Sequence, residues 1–270
     1  MKIDVVTKTK KKSKFNLFFR KIKNFAEGVF FPANIKCIDC GRDLSEKREI
    51  ELCDECLSKL NLIKEDKCCT LCGTRLNSSN RCLNCKNHKR EFDLARSVCS
   101  YEGDIQKIIV GFKYNNKPYL SRTLGAMLAS KFDDLKFDVD YAIFVPSTKK
   151  RLKSRGYNQA ELLADEFSLK TGVPVCKEVL IKTKDTTRQA ELGFKERQEN
   201  LKKSFVVIDE DKVKDKNILV IDDVLTTGAT ANACALCLKN SGAKNVFVLT
   251  VASTPSKILT SGHQIPKKDK

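Results

Sequence analysis

Residues 218–230 read ILVIDDVLTTGAT, an apolar run followed by two acids and a loop of hydroxyls and glycine. The apolar run predicts a strand that is buried on both faces of a parallel sheet and ended by Asp222 and Asp223. A helix is predicted over residues 231–240, directly after the loop. Ligands of open α/β sheets lie beyond the carboxyl ends of the strands, and a glycine-containing loop that opens a helix suits an anion. Because the acids only accept hydrogen bonds, they suit hydroxyls or a metal, and the stretch predicts a site for a ribose 5-phosphate.

The same stretch closely resembles the signature of type I phosphoribosyltransferases, in which an apolar run and two acids precede T-T-G-x-T. The resemblance implies that the loop holds the 5-phosphate of phosphoribosyl pyrophosphate, while the acids hold the ribose hydroxyls and act as the catalytic candidates. By position, the phosphate residues are Thr226, Thr227, Gly228, Ala229 and Thr230, and the ribose residues are Asp222 and Asp223. Two alternatives are a strand that merely ends in exposed acids and a response-regulator receiver. A receiver needs its acid pair near the start of a domain, whereas only one further strand, residues 245–252, is predicted here.

Length and charge suggest one medium domain, one small domain and basic tails. The chain has 270 residues, 41% of them hydrophobic, and a formal net charge of +17. Much of this charge lies in residues 1–23, which hold nine Lys or Arg and one Asp. Tails are predicted at residues 1–14 and 255–270. Such tails are most often solvated, although they also suit nucleic acid or an anionic membrane.

Nothing in the sequence predicts a membrane span, because no run of eighteen apolar residues occurs. The basic start leads into an apolar segment that is interrupted too early for a signal peptide, so a cytoplasmic protein is expected. Residues 15–33 have helical apolar spacing and predict an amphipathic helix, which would pack on its own domain or lie on a membrane surface. The thirteen cysteines must then be explained without disulfides.

Eight cysteines form four C-x-x-C pairs, and two such pairs complete a closed tetrahedral sulfur site of the structural zinc type. They are Cys37, Cys40, Cys53 and Cys56, followed by Cys69, Cys72, Cys82 and Cys85. Residues 34–89 are therefore predicted to be a double zinc ribbon, and pairing in sequence order gives two zinc ions. An interleaved pairing or one filled site remains open, as does replacement of Cys69 by Cys68. Cys234 and Cys237 lie on one predicted helical face and are expected to pack in the core.

Beyond residue 89, strands alternate with helices, which predicts an α/β domain with a parallel sheet flanked by helices over residues 90–254. An edge strand is expected at residues 96–101 and a short strand at residues 178–182. A strand over residues 139–145 is followed by a basic loop up to Arg155. This loop suits a second anion, since the charge on a leaving pyrophosphate is stabilised by donors already in place. Its candidates are Ser147, Thr148, Lys149, Arg151 and Arg155, and an ordinary basic surface loop is the alternative. The polar residues 182–205 are predicted to cover the site.

Three further motifs complete a resemblance to the ComF family of competence proteins. They are F-K-Y at residues 112–114, R-G-Y-N-Q-A at residues 155–160 and D-T-x-x-Q-x-x-L at residues 185–192. The resemblance implies a double zinc ribbon on a type I phosphoribosyltransferase-like domain. It also implies a role in natural transformation, the import of single-stranded DNA, together with a helicase-like ATPase. Phe144 stands where the family usually has the first proline of P-x-P, and the long basic N-terminus is an addition.

Two functions follow as hypotheses. The first is Mg²⁺-dependent transfer of phosphoribose from phosphoribosyl pyrophosphate to an unidentified acceptor, which requires no protein nucleophile. The second is a binding protein that keeps this site for sensing or structure and binds single-stranded DNA and a partner protein. Phe92, Tyr101 and Tyr114 are candidate stacking residues for that DNA.

Overall fold

The computed structural model describes residues 36–77, 79–183 and 204–255. The predicted tail at residues 1–14, the amphipathic helix at residues 15–33, the tail beyond residue 255 and most of the predicted cover lie outside these residues. Within the described part of the chain, no helix has the length and apolar character needed to cross a membrane.

The described residues form a parallel sheet with helices on both faces. The helices are α1 (Asp54–Ser58), α2 (Leu83–Asn87), α3 (Asp104–Tyr114), α4 (Ser121–Leu135), α5 (Lys149–Arg155), α6 (Gln159–Thr171) and α7 (Ala229–Asn240). The strands are β1 (Leu94–Ser100), β2 (Tyr141–Phe144), β3 (Leu180–Lys182), β4 (Phe205–Val207), β5 (Asn217–Leu225) and β6 (Asn245–Ser253). Four strands pair in parallel in the order β1-β6-β5-β2, while β3 and β4 form a separate antiparallel pair. The predicted α/β fold and the edge position of β1 are confirmed.

The strand β5 lies inside the sheet and is buried on both faces, as its continuous apolar run predicts. Leu219 and Ile221 pack into one core cluster together with residues of α3, α4 and α6. Ile218 and Val220 pack into a second cluster on the opposite face, together with residues of α7. Apolar layers on both faces of the sheet therefore hold β5, the strand that carries the two acids, in place.

The two zinc ribbons pack on opposite faces of the sheet. Cys37 and Cys56 belong to the cluster that contains α3 and α4, whereas the second group of cysteines belongs to the cluster that contains α7. The chain between the ribbons runs along the edge strand β1. Ile63 N–H donates to the Val98 carbonyl at 2.9 Å, and Ser100 N–H donates to the Asn61 carbonyl at 2.8 Å. This crossing covers an otherwise unpaired sheet edge and ties both ribbons to the larger domain.

Three predictions of local structure were wrong. The acids do not end β5, because its pairing with β6 continues as far as Leu225 and Ser253. The expected basic loop up to Arg155 is the helix α5, which Thr148 caps by accepting a hydrogen bond from the Arg151 N–H. The strand predicted at residues 178–182 does not join the main sheet, because β3 pairs with β4, a strand that the sequence had not indicated.

Candidate functional site

The candidate site lies where β2 ends beside β5. These strands are parallel neighbours, with Phe144 opposite Ile221. The segment after β2 therefore reaches the same edge of the sheet as the acid pair, Asp222 and Asp223, and the loop that follows it. The structure thus brings together the two predicted anion-binding segments, at the edge where open α/β sheets bind ligands.

Lys113, at the end of α3, is the counterion of the acid pair. Its Nζ lies 2.8 Å from an Asp223 carboxylate oxygen, and the two side chains are only 20% and 12% exposed. Burial lowers the pKa of Lys113, but the charge and hydrogen bond of Asp223, together with the charge of Asp222, outweigh burial and raise the net pKa. A charged lysine is therefore held against the acids in a largely dry setting. Sequence reasoning identified the F-K-Y motif but did not assign Lys113 to the site.

Asp222 has a different environment from its neighbour. Burial raises the pKa of its carboxyl to about 7, and the charge of Asp223 acts in the same direction, while Lys113 opposes both. One of its oxygens accepts a hydrogen bond from the Asp223 N–H at 2.9 Å. Asp222 can therefore hold a proton at mildly acidic pH and lose it at higher pH.

The phosphate loop, residues 226–230, leads from β5 into α7. Thr226 and Thr227 are exposed, and Gly228 occupies the N-cap position with φ +75°, which a residue without a Cβ adopts at low cost. The Thr227 hydroxyl accepts a hydrogen bond from the Ala229 N–H at 3.3 Å. No side chain caps α7. The loop and the positive end of the twelve-residue α7 form a surface suited to an anion.

The pyrophosphate segment, residues 145–155, is held in place by Asn158. The Asn158 amide donates to the Val145 carbonyl at 3.1 Å and accepts from the Ser147 hydroxyl, also at 3.1 Å. Among the predicted residues, Thr148 is buried as a helix cap, Lys149 is exposed, and Arg151 and Arg155 are half-buried. Because Thr148 serves α5, its hydroxyl is a structural group, and the cations of α5 supply the positive charge.

The R-G-Y-N-Q-A motif holds the F-K-Y motif. The Tyr157 hydroxyl donates to the Phe112 carbonyl at 2.7 Å, and the Gln159 amide donates to the Lys113 carbonyl at 3.4 Å. The Arg155 guanidinium lies 5.0 Å from the centre of the exposed Tyr114 ring. These contacts give a physical role to motif residues that the sequence alone identified only by resemblance: they fix the end of α3 and hence Lys113.

The eight predicted cysteines form two tetrads, in the pairing given by sequence order. Within each tetrad the sulfurs lie within 4.8 Å of one another, and the separations include 3.8 Å for Cys40–Cys53 and 3.5 Å for Cys72–Cys82. Four sulfurs at about 2.3 Å from a tetrahedral zinc ion lie about 3.8 Å apart, so the residues fit structural zinc. Cys68 donates to the Glu65 carbonyl instead and does not replace Cys69. Cys234 is fully buried in the core, as expected for packing.

The second ribbon, with Cys69, Cys72, Cys82 and Cys85, reaches the phosphate loop directly. The Thr227 carbonyl accepts hydrogen bonds from Asn84 Nδ2 and Arg90 Nη2, both at 2.9 Å. The Glu91 N–H donates to Asn232 Oδ1, in the first turn of α7, at 2.7 Å. Sequence reasoning did not find Asn84 or Arg90, since no motif marks contacts between residues so distant along the chain.

Comparison with known proteins gives the class of this protein. Residues 27–86 match the double zinc ribbon domain, and residues 152–264 match the phosphoribosyl transferase domain. The chain is thus a phosphoribosyltransferase-like protein of the type I α/β fold with an N-terminal double zinc ribbon. Over most of its length it is similar to curated competence proteins, in agreement with the resemblance to the ComF family. The match of the ribbon family begins before the described residues, and the domain boundaries predicted at 34–89 and 90–254 stay predictions.

The similarity to relatives extends over most of the chain. Competence protein F of Haemophilus influenzae is 29% identical over 227 residues, which are 81% of this chain and 97% of the relative. Competence protein ComFC of Bacillus subtilis is 27% identical over 203 residues, 73% of this chain and 81% of the relative. Among solved structures, an allosteric regulatory enzyme of purine biosynthesis is 22% identical, with a TM-score of 0.34. That alignment covers 47% of this chain and only 24% of the enzyme.

Proposed function

We propose that this protein binds phosphoribosyl pyrophosphate with Mg²⁺, transfers the phosphoribosyl group to an acceptor and acts in natural competence. The observation that supports this most strongly is the meeting of an acid pair, an anion-binding helix start and a cationic helix at the ends of two neighbouring strands. The acid pair suits the diol of such a ligand, the helix start suits its 5-phosphate, and the cationic helix suits its pyrophosphate. The domain match and the names of the similar competence proteins agree with this function.

Each part of the ligand has its own binding residues in this proposal. The phosphate loop, residues 226–230, donates backbone N–H groups and hydroxyls to the 5-phosphate. Asp222 and Asp223 accept hydrogen bonds from the ribose 2- and 3-hydroxyls. Ser147 and the cations Lys149, Arg151 and Arg155 take the pyrophosphate, while Thr148 caps the helix that carries these cations.

The donor set also fits Mg²⁺ bound together with the ligand. Mg²⁺ prefers oxygen and commonly uses one or two carboxylates plus substrate phosphates, and Asp222 makes no ion pair within 4 Å among the described residues. Such an ion would offset charge on the departing pyrophosphate. Lys113 pairs with Asp223 and orients its carboxylate, so that it can hold the ribose while the anomeric carbon reacts. We also place the protein in the cytoplasm, where zinc-binding thiols stay reduced.

Release of pyrophosphate from phosphoribosyl pyrophosphate, measured with purified protein with and without single-stranded DNA, tests transfer. Asp222→Asn/Asp223→Asn should abolish Mg²⁺-dependent release, because the ribose and the metal lose their acceptors. Asp133→Asn/Asp134→Asn is the matched control, since it changes two acids in α4 that are also neighbours in sequence but are exposed to solvent. Absence of release from the unaltered protein under both conditions would refute catalysis of this kind.

A second candidate function is a non-catalytic protein that binds single-stranded DNA and a helicase-like competence ATPase. The supporting observation is Tyr114, which is 67% exposed, with Arg155 against its ring and the exposed Lys150 and Lys153 on α5. Aromatic faces bordered by cations suit the bases and phosphates of a single strand. Binding of phosphoribosyl pyrophosphate without pyrophosphate release would favour this function.

A further inference from the structure

The Thr227 carbonyl is hydrogen-bonded by the second zinc ribbon and by the segment that directly follows it. It accepts one hydrogen bond from Asn84 in α2 and another from Arg90, which follows α2, both at 2.9 Å. Asn84 lies immediately before the tetrad residue Cys85. The position of this carbonyl is therefore set by a module whose own shape depends on its four cysteines.

Fixing this carbonyl also fixes a donor of the phosphate loop. No cis peptide occurs among the described residues, so the Gly228 N–H points away from the Thr227 carbonyl across the same rigid plane. Two donors on the carbonyl side hold this plane against rotation. The Gly228 N–H is thereby aimed before any ligand arrives, which lowers the conformational cost of binding an anion.

Arg90 fills the space behind the phosphate loop. A Cβ at Gly228 would lie 3.3 Å from Arg90 Nη1 and 3.4 Å from Cζ, so the glycine permits the guanidinium to approach. The Arg90 Nε is buried and has no hydrogen-bond partner among the described residues. The guanidinium also interacts with the side chain of Cys85, one of the four tetrad residues.

We propose that Arg90 is a positioning residue that couples the second zinc ribbon to the phosphate loop. With the ribbon folded around its tetrad, Arg90 and Asn84 hold the Thr227–Gly228 peptide in its anion-binding orientation. Loss of metal from this tetrad releases the peptide, and a bound phosphate in turn stabilises the metal-loaded ribbon, since such coupling is reciprocal. The inference rests on the proposed function for the identity of the ligand, but its structural part does not.

The first test combines two measurements on Arg90→Ala, with Arg81→Ala as the control. Arg81 is an exposed arginine of the same ribbon, adjacent to Cys82. Arg90→Ala should weaken binding of phosphoribosyl pyrophosphate at least about tenfold, because a charge-assisted hydrogen bond is lost. Without ligand, amide hydrogen exchange of residues 226–230 should be faster than in the control. Arg90→Lys should restore part of the affinity, since one donor returns.

The outcomes separate this inference from the proposed function. Equal affinity and equal loop exchange in Arg90→Ala and Arg81→Ala would overturn the coupling, even if both proteins bind the ligand. Failure of the unaltered protein to bind would refute the proposed function, and loop exchange alone would then decide the coupling. Should Arg90→Ala fold poorly, Asn84→Ala provides the same comparison with a smaller expected effect.

Zinc release gives an independent readout. In the unaltered protein, phosphoribosyl pyrophosphate should slow the transfer of one zinc equivalent to a chelator and leave the other unchanged. The reason is that the second ribbon donates a hydrogen bond from Asn84 to the phosphate loop, whereas the first ribbon makes no such bond within the described residues. The protection should disappear in Arg90→Ala and persist in Arg81→Ala. Equal protection of both zinc ions, or protection that survives in Arg90→Ala, would contradict the proposal.

Discussion

Asp222 and Asp223 are sequence neighbours at the same strand end, yet they lie in different electrostatic surroundings. Asp223 has the Lys113 ammonium at 2.8 Å, whereas burial and the neighbouring charge raise the pKa of Asp222 to about 7. The sequence predicted both acids, because the motif is local. It could not predict Lys113 as their partner, since that contact depends on how α3 packs beside β5.

Stability should fall with rising pH because of Asp222. Its folded pKa lies above its unfolded value, so its contribution is fully present below about pH 4 and is lost as pH rises through about 7. Asp222→Asn should therefore raise the melting temperature more at pH 8 than at pH 5. Thermal unfolding at both values checks this, with Asp134→Asn as the control. An equal shift at the two pH values would show that Asp222 ionises normally.

Lys113→Met should destabilise the protein through the uncompensated Asp223 charge. Breaking a buried ion pair costs roughly 3–5 kcal/mol, and the partial exposure of this pair places the expected loss at the lower end. Lys107→Met is the control on the same helix, because the Lys107–Asp104 pair is exposed to solvent and should contribute little to stability. Chemical denaturation gives both values. Similar losses for the two variants would mean that Lys113 does not neutralise the acid pair.

At the scale of elements, features encoded by short spacings were predictable and features set by packing were not. The C-x-x-C pairs gave both tetrads, and the apolar run gave β5, because each pattern concerns neighbouring residues. The Lys-rich segment after Thr148 looks like a loop because it lacks an apolar face, but its caps at Thr148 and Gly156 make it α5. The pairing of β3 with β4 crosses a long polar segment that carries no register signal.

The adjacent cysteines Cys68 and Cys69 provide a matched pair for testing the ribbon assignment. Cys69→Ser should lower the zinc content from about two ions per chain toward one, because a closed sulfur tetrad loses a ligand. Cys68→Ser should leave it unchanged, since its sulfur donates to the Glu65 carbonyl. Elemental analysis of chelator-free preparations measures both. Zinc loss from Cys68→Ser, or retention of two ions in Cys69→Ser, would refute the pairing.

At the scale of the whole molecule, charge and exposed aromatic rings bear on DNA binding. Phe92 is 2% exposed, so the expectation that it stacks on bases was wrong; it packs in the core beside the second ribbon. Tyr101 is half-buried, and Tyr114 is the most exposed of the three candidates. An aromatic ring that flanks a strand can pack in the core or stack on a base, and the sequence alone does not distinguish these roles.

Sequence-independent binding of single-stranded DNA is expected to belong to the folded body. Deleting residues 1–14 removes six lysines, so the dependence of affinity on salt should become shallower, with a slope of about −0.7 per phosphate neutralised. Appreciable affinity should survive at moderate salt, and Tyr114→Ala should reduce it further. Fluorescence anisotropy with single strands and duplexes measures these effects. Equal affinity for both forms, together with loss on tail deletion, would show that the tail alone attracts DNA.

The most direct test of the central claim is calorimetric titration of the full chain with phosphoribosyl pyrophosphate and Mg²⁺. The unaltered protein and the control Asp133→Asn/Asp134→Asn should bind with the same affinity. Asp222→Asn/Asp223→Asn should bind more than about tenfold more weakly, because charge-assisted hydrogen bonds to the ribose are lost. Equal affinity in all three proteins would contradict the assignment of this strand end as the ligand site.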